Sequence, residues 1–305
     1  MNLNIKNETD TLVSVVLGIA NDLGEIPTLD KCIDPKTKYH IINNSYPKEK
    51  NCIKEIDNFK KILRKHNVNV LRPKNNIKNL DQIFTRDISF VIENKFFIPE
   101  IIKERNKEKK GIKSIINQLD DKQKIYIPSN IKIEGGDVIL YNKYIFIGYT
   151  EKESDKNLKV SRTTRNSIEY IQKLFPNKNI IGIKLIKDDI NPKKSILHLD
   201  CTMQPVGKNK LIIYEEGLSD KKDIKLIHKI FGKENLIKID KEEMYEGCAN
   251  IFSINNKTIV SDITFKRLNN ELKKLGFIIE KINYRETSKF GGLLRCSTLP
   301  LERLS

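Results

Sequence analysis

A cysteine near the end of the sequence has neighbours that could make it a nucleophile. Cys296 follows the glycine pair Gly291 and Gly292, which lets the backbone turn tightly, and it comes directly after Arg295. A thiolate is the reactive form of cysteine, and a neighbouring cation lowers the pKa of the thiol. We therefore predict that Arg295 lowers the pKa of Cys296 and that Cys296 is a catalytic nucleophile.

Three earlier motifs carry the acids and the histidine that such a nucleophile requires. They are Phe-Thr-Arg-Asp at 84–87, Glu-Gly-Gly-Asp at 134–137 and His-Leu-Asp at 198–200, and each puts charge where a buried strand should begin. Taken singly, each has a structural explanation, such as an ion pair, a glycine turn or a buried histidine. Alternation along a strand would place His198 and Asp200 on one face. The ordered set therefore indicates a site.

The set fits attack on a guanidino carbon. This carbon is bonded to three nitrogens and is a poor electrophile, so it needs a strong nucleophile. Asp87 and Asp200 could hold the guanidinium through charge-assisted hydrogen bonds. His198 could pass a proton to the leaving amine and then activate water. Glu134 could hold a guanidinium nitrogen and orient His198, as the third member of a triad does.

In this order, the three motifs and the final Gly-Gly…Cys-x-x-x-Pro-Leu resemble those of the guanidino-group-modifying superfamily. That superfamily includes arginine deiminases, dimethylargininases and amidinotransferases, and the resemblance covers about residues 12–301. It implies a five-bladed α/β propeller built around a pseudo-fivefold axis. It also implies Cys296 as the nucleophile that forms a covalent thiouronium adduct, with His198 and Glu134 as its acid–base partners.

The resemblance further implies the substrate ligands. Asp87 and Asp200 match the family's guanidinium-binding aspartates. Ser161-Arg162-Thr163 resembles the family's Ser-x-Arg-Thr stretch with one residue fewer, which implies that Arg162 binds the substrate carboxylate. Cys201 is a rival nucleophile by position, but the adjacent Asp200 would raise the pKa of its thiol by like-charge repulsion.

The rest of the chain must position these residues, and its hydrophobic pattern repeats. Units of strand–strand–helix–strand recur about five times at a period of roughly 45–60 residues, as in propellers and arrays. One unit has predicted strands at 138–140, 144–147 and 180–186, with helical spacing at Ile168, Ile171 and Leu174. We predict an α/β fold and a single catalytic domain, residues 1–305; a doubly wound sheet is the alternative.

Two polar stretches interrupt the repeats. Residues 103–110 are predicted to be a solvated helix face, and residues 150–159 are predicted to form a loop near the site.

Composition indicates which partners and which cellular compartment to expect. The formal net charge is +16, but the lysines are scattered along all 305 residues rather than clustered, so nucleic acid is not the expected partner. Five widely spaced cysteines, without a Cys-x-x-Cys pair, favour free thiols in a reducing cytoplasm and no structural zinc. The polar N-terminus lacks a signal-peptide core, and no apolar run is long enough for a membrane span. We expect neither a metal nor a cofactor.

The predicted function is hydrolysis at the guanidino carbon of arginine or an arginine derivative. One alternative keeps the adduct but passes the amidino group to an amine, as an amidinotransferase does. Another is hydrolysis of a ureido compound such as citrulline. A different class remains open, in which the basic surface binds nucleic acid or another anion and the pocket is vestigial. A homodimer is compatible with the sequence but not required by it.

Overall fold

The computed structural model describes residues 1–75, 78, 81–150 and 158–304. Its strands are β1 Thr11–Leu17, β2 Asn69–Leu71, β3 Phe90–Ile92, β4 Lys95–Ile98, β5 Lys124–Tyr126, β6 Val138–Tyr141, β7 Tyr144–Tyr149, β8 Asn179–Lys184, β9 Met203–Val206, β10 Lys210–Ile213, β11 Leu236–Lys238, β12 Phe252–Ser253, β13 Thr258–Asp262, β14 Ile278–Ile282 and β15 Thr298–Leu304. Its helices are α1 Pro35–Ile42, α2 Glu49–Lys65, α3 Thr85–Ile88, α4 Lys113–Ile116, α5 Asn166–Leu174, α6 Lys221–Phe231, α7 Lys241–Glu246 and α8 Lys266–Lys274.

The strands form five sheets of three strands each. Their orders are β15-β1-β2, β3-β4-β5, β6-β7-β8, β9-β10-β11 and β12-β13-β14. In every sheet the first two strands pair antiparallel, and a helical segment then leads to a third strand that pairs parallel with the second. The predicted α/β class and the repeating strand–strand–helix–strand unit are confirmed.

The two ends of the chain share one sheet. Strand β1, near the N-terminus, pairs antiparallel with β15, the last strand, and parallel with β2. The register joins Val16 to Leu299 and Leu17 to Thr298. The sequence analysis did not assign β15 as a strand. Its pairing with β1 fixes the position of Cys296, which lies two residues before β15.

Burial of apolar side chains explains the helices that flank the sheets. In α2, Cys52, Ile56, Phe59 and Leu63 recur at helical spacing and are fully buried, while lysines occupy the opposite face. In the second unit, the helical segment is a 3-10 helix, Asn106–Ile112, that continues into α4. Among the described residues, no helix is long and apolar enough to cross a membrane.

Two expectations about local structure need correction. Residues 103–110 are solvated only in part: residues 103, 104, 106, 107 and 110 are exposed, but Arg105 and Glu108 are buried, 5% and 3% exposed. His198 and Asp200 do not lie on a strand, because residues Leu199–Cys201 form a 3-10 turn that His198 precedes. Most of the predicted loop at 150–159, residues 151–157, lies outside the described residues.

Candidate active site

The sequence motifs occupy equivalent places in successive units. Asp87 lies in the single turn of α3 before β3, Asp137 in the 3-10 turn Gly135–Asp137 before β6, and Asp200 in the turn before β9. Asn250 and Cys296 stand two residues before β12 and β15. Each of these strands is the first of its sheet, so all five segments enter the sheets at equivalent points.

The thiol of Cys296 is buried between two polar side chains. Its Sγ lies 3.4 Å from Oδ2 of Asp200 and 3.1 Å from Nδ2 of Asn250, and the residue is 2% exposed. Burial raises the pKa of this thiol well above its usual range, and the negative charge of Asp200 raises it further. In the protein without substrate, Cys296 is therefore a neutral thiol at pH 7.

The predicted action of Arg295 on the thiol is wrong. Its Nη1 donates to Oδ2 of Asp200 at 2.8 Å, while Nε and Nη2 donate to the carboxylate of Glu8 at 3.2 and 2.9 Å. The guanidinium is thus directed at two carboxylates rather than at Sγ. Adjacency in sequence placed a charge next to the cysteine, but the side chain points into the core and is neutralised there.

His198 is held by carboxylates. Its Nε2 lies 2.8 Å from Oε2 of Glu134, and its Nδ1 lies 3.6 Å from Oδ1 of Asp87. Burial by itself would lower the pKa of His198, but the charge of Asp87 and the hydrogen bond to Glu134 outweigh it and raise that pKa above its usual value. The imidazole therefore retains its proton at pH values where an exposed histidine would lose it.

Glu134 is ionised and paired with a second cation. Burial would raise its pKa, but Arg162, whose Nη1 lies 3.1 Å from Oε2, and His198 lower it well below the usual range. The other donors of Arg162 bind main-chain carbonyls: Nε donates to Lys159 at 2.5 Å and Nη2 to Ile33 at 2.9 Å. Arg162 thus holds Glu134 as a carboxylate beside His198.

Arg105 is a site residue that the sequence analysis missed. Its Nη1 donates to Oδ2 of Asp87 at 2.6 Å, and its Nε and Nη2 form two bonds of 2.8 Å with the carboxylate of Glu108. This pairing leaves Oδ1 of Asp87 without a hydrogen-bond partner among the described residues. No local signal marks Arg105, because the surrounding segment is uniformly rich in charged residues.

The glycines of Glu-Gly-Gly-Asp are required by close packing. A Cβ on Gly136 would lie 2.8 Å from Cγ and Nδ1 of His198 and 2.9 Å from Oδ1 of Asp87. A Cβ on Gly135 would lie 2.1 Å from the carbonyl oxygen of Arg86. The missing side chains allow the turn to approach the histidine and the aspartate directly.

The assembled groups border a cavity of about 280 Å³. Its lining includes Cys296, His198, Asp87, Arg105 and Arg162, together with five further acids and one further base: Glu25, Asp34, Asp81, Glu104, Glu108 and Lys31. A cavity of this size suits a small molecule. Although the protein has a formal net charge of +16, acids outnumber lysines and arginines in the lining of this cavity. The cavity favours a small cationic ligand.

The same groups include a possible set of metal ligands. Single donor atoms of Asp87, Glu134 and His198 all lie within 4.8 Å of one another. However, Oδ2 of Asp87 already accepts a hydrogen bond from Arg105 and Oε2 of Glu134 accepts one from Arg162. A metal ion bound by all three side chains would also require His198 to lose its proton, so the arrangement suits proton transfer better than metal binding.

Most of the chain matches a known protein family. The family model for N,N dimethylarginine dimethylhydrolase, eukaryotic, matches residues 36–303. The chain belongs to this family. It is thereby a member of the guanidino-group-modifying superfamily, as the sequence motifs predicted.

Individual proteins resemble this chain in sequence or in fold. An uncharacterized protein of Bacillus subtilis (strain 168), YkgA, is 29% identical over 244 residues, which cover 79% of this chain and 77% of the relative. The N-terminal domain of ArgZ, an arginine dihydrolase of cyanobacteria, superposes with a TM-score of 0.78 at 18% identity, covering 95% and 98% of the two chains. SxtG, an amidinotransferase from Microseira wollei, gives 0.77 at 17% identity, covering 99% and 98%. These two structures show that the fold is shared.

The structure brings together all six residues that the sequence analysis selected. His198 is hydrogen-bonded to Glu134, and Asp87 and Arg162 flank that pair. Cys296 is bonded to Asp200. Asn250, which contacts Cys296, was not selected: it follows the apolar residues Cys248 and Ala249, and nothing in the local sequence sets it apart from any other loop asparagine.

Proposed function

We propose that this protein is a hydrolase that acts on the guanidino carbon of arginine or an arginine derivative, with Cys296 as the nucleophile. The observation that carries the proposal is the buried oxygen Oδ1 of Asp87, which borders the same cavity as Cys296 and accepts no hydrogen bond from the described residues. Nδ1 of His198 faces this oxygen at 3.6 Å, which is too far for a hydrogen bond. A buried acceptor without a donor costs free energy, and a guanidinium supplies charged N–H donors. Oε1 of Glu134 is a second such acceptor.

Charge explains how the neutral thiol would be activated. Asp200 and Asp87 are the carboxylates that raise the pKa of Cys296. A guanidinium bound to these carboxylates would neutralise them and add a positive charge beside Sγ. Both changes lower the pKa of the thiol, so the nucleophile forms when a cationic substrate is in place.

The proposed reaction has two stages. After the thiol loses its proton to solvent, the Sγ thiolate of Cys296 attacks the guanidino carbon, and His198, protonated beside Glu134, donates its proton to the departing nitrogen. The C–N bond breaks and a thiouronium adduct remains. The neutral His198 then takes a proton from a water molecule, whose oxygen attacks the same carbon. The C–S bond breaks, which releases a ureido product and the cysteine.

The wider assignments are part of the same proposal. The five sheets would be the blades of a closed propeller, with residues 1–305 acting as one catalytic domain on a small guanidino substrate. Arg162 would bind the substrate carboxylate with a donor released from its present main-chain bonds. All five cysteines are free thiols, which fits a cytoplasmic protein, and the fold leaves a homodimer open.

Amidino transfer to an amine is a second candidate, favoured by the likeness to SxtG over 99% of this chain. The two reactions share the adduct and differ in the group that attacks it. Product analysis with arginine, in the presence and absence of glycine or ornithine, separates them: an amidino-amine product would show transfer, and a ureido product that forms equally well without the amine would show hydrolysis.

The test of the leading proposal is incubation with arginine and N-methylated arginines, followed by a ureido assay and by mass spectrometry of acid-quenched protein. We expect a ureido product and a mass increase confined to Cys296. Cys296→Ala should abolish both, whereas Cys201→Ala, the matched control, should retain them, because Cys201 does not belong to the lining of the cavity that Cys296 shares with His198 and Asp87. Full activity in Cys296→Ala would overturn the mechanism.

A further inference from the structure

A single side chain joins the nucleophile to the turn that holds Asp200. Asn250 is buried, 2% exposed, and its Nδ2 lies 3.1 Å from Sγ of Cys296 and 3.3 Å from the main-chain oxygen of Asp200. Its Oδ1 accepts the main-chain N–H groups of Leu293 and Cys296, each at 3.1 Å. The amide therefore touches both ends of the segment that carries the nucleophile.

The orientation of this amide follows from its partners. Two main-chain N–H groups point at one atom of the amide, and only the oxygen can accept them. The other atom faces a carbonyl oxygen, which only an NH₂ group can satisfy. The N–H that faces Sγ is therefore fixed by three other hydrogen bonds, and it points at the sulfur before any reaction begins.

We propose that Asn250 is a further catalytic residue, which stabilises the thiolate of Cys296 by donating a hydrogen bond to Sγ. The inference rests on the proposed role of Cys296 as nucleophile. The other side chain bonded to Sγ, Asp200, is a carboxylate that favours the protonated thiol. Arg295, the adjacent cation, is directed to Glu8 and Asp200. Asn250 thus supplies a side-chain N–H to the sulfur that stays in place when the proton leaves.

A preorganised donor in a buried site acts on the charged form. The thiol can use the N–H of Asn250 weakly, whereas the thiolate is a full anion, and hydrogen bonds to ionised groups are roughly twice as strong as neutral ones. The oxygen of the same amide holds the backbone of residues 293–296, so donor and sulfur keep their separation. This is the logic of an oxyanion hole applied to a nucleophile.

The experiment measures thiolate formation without any guanidino substrate. Iodoacetamide labelling of Cys296, resolved by peptide mass spectrometry because five thiols are present, is followed between pH 6 and 10. Asn250→Ala should slow labelling at pH 8 by about 10- to 100-fold, with a pKa about 1–2 pH units higher, as expected for loss of one hydrogen bond to a charged group. Asn250→Asp keeps an oxygen for the two N–H groups but loses the donor, and should be impaired at least as much.

A matched control guards against general destabilisation. Asn269 is equally buried, at 1% exposed, and its Nδ2 donates to a main-chain oxygen, that of Asp262, at 2.7 Å. Asn269→Ala should lose stability comparably and label normally at Cys296. Unchanged labelling in a folded Asn250→Ala protein would overturn the inference. If Asn250→Asp labels at the wild-type rate, the inference is also overturned, because the slower labelling of Asn250→Ala would then come from loss of the hydrogen bonds to the main-chain N–H groups. A protein that labels as expected but turns over no guanidino compound would instead overturn the proposed function.

Discussion

Replacing Gly136 by alanine should disable the site while leaving the fold intact. The turn Gly135–Asp137 passes so close to two residues of the candidate site that a Cβ at 136 would lie 2.8 Å from Cγ and Nδ1 of His198 and 2.9 Å from Oδ1 of Asp87. The imidazole is fully buried and is held on its other nitrogen by Glu134. The hydrogen bond to Glu134 opposes movement of the ring into the cavity that it borders.

The geometry sets the size of the effect. Non-bonded carbon contacts are comfortable at about 3.5–4.0 Å, so His198 or the turn must move by roughly 0.7–1 Å. A displacement of about 1 Å in a catalytic constellation costs on the order of 100-fold in rate. At about 1.36 kcal/mol for each tenfold change, Gly136→Ala should raise the barrier by roughly 2.7 kcal/mol.

Two quantities are measured for each variant and for the wild type: kcat/KM for formation of the ureido product, and the free energy of unfolding in urea. The control is Gly276→Ala: Gly276 has φ +87°, and its added Cβ would meet no atom within 4 Å. That variant should lose about 1–2 kcal/mol of stability through left-handed strain yet keep normal turnover. If Gly136→Ala stays within threefold of wild-type kcat/KM, or if Gly276→Ala loses activity to the same degree, the packing argument is wrong.

Two further predictions concern the charges behind the site. Asp200→Asn should lower the pKa of the Cys296 thiol, because Asp200 is the charged group that raises this pKa most. Labelling of Cys296 by iodoacetamide at pH 8 should therefore become about tenfold faster. Slower labelling would contradict this prediction. Glu8→Gln should cost about 3–5 kcal/mol in urea unfolding, since it leaves Arg295 buried with one carboxylate partner fewer; a loss below 1 kcal/mol would refute the pairing. Burial would raise the pKa of Glu8, but Arg295 outweighs burial and lowers that pKa to about 2. The contribution of Glu8 to the free energy of unfolding is therefore complete above pH 4.5 and should be lost as the pH falls from 4.5 towards 2. Acid unfolding of the wild type and of the Glu8→Gln variant measures this loss.

The sequence predicted the repeats because each relies on local rules. Helix α2 follows from apolar residues at helical spacing, and the central strands follow from short apolar runs. The first strands of two sheets, β9 and β15, were missed. Each contains a proline, Pro205 or Pro300, and each lies at the edge of its sheet, where a missing N–H is tolerated. These two segments are recognisable as strands only from their pairing, of β9 with β10 and of β15 with β1.

Side-chain direction explains the mistake about Arg295. Sequence shows that Arg295 precedes Cys296, but it does not show that the guanidinium points to Glu8, 287 positions away. The same limit hid Arg105, whose charge is met by Asp87 and Glu108 in the core. A charged residue in a lysine-rich segment is solvated unless a distant carboxylate makes burial favourable, and distant carboxylates are invisible along the chain.

By itself, the sequence predicted which residues form the candidate site and in which order, because Asp87, Glu134, His198, Asp200 and Cys296 stand in motifs whose types and spacing are specific. The tertiary structure decided their electrostatic state. Burial keeps the thiol neutral, two carboxylates keep the histidine protonated, and an asparagine from another unit faces the sulfur. These properties depend on distances between separate units and on exclusion of water, and both arise only when the five sheets come together.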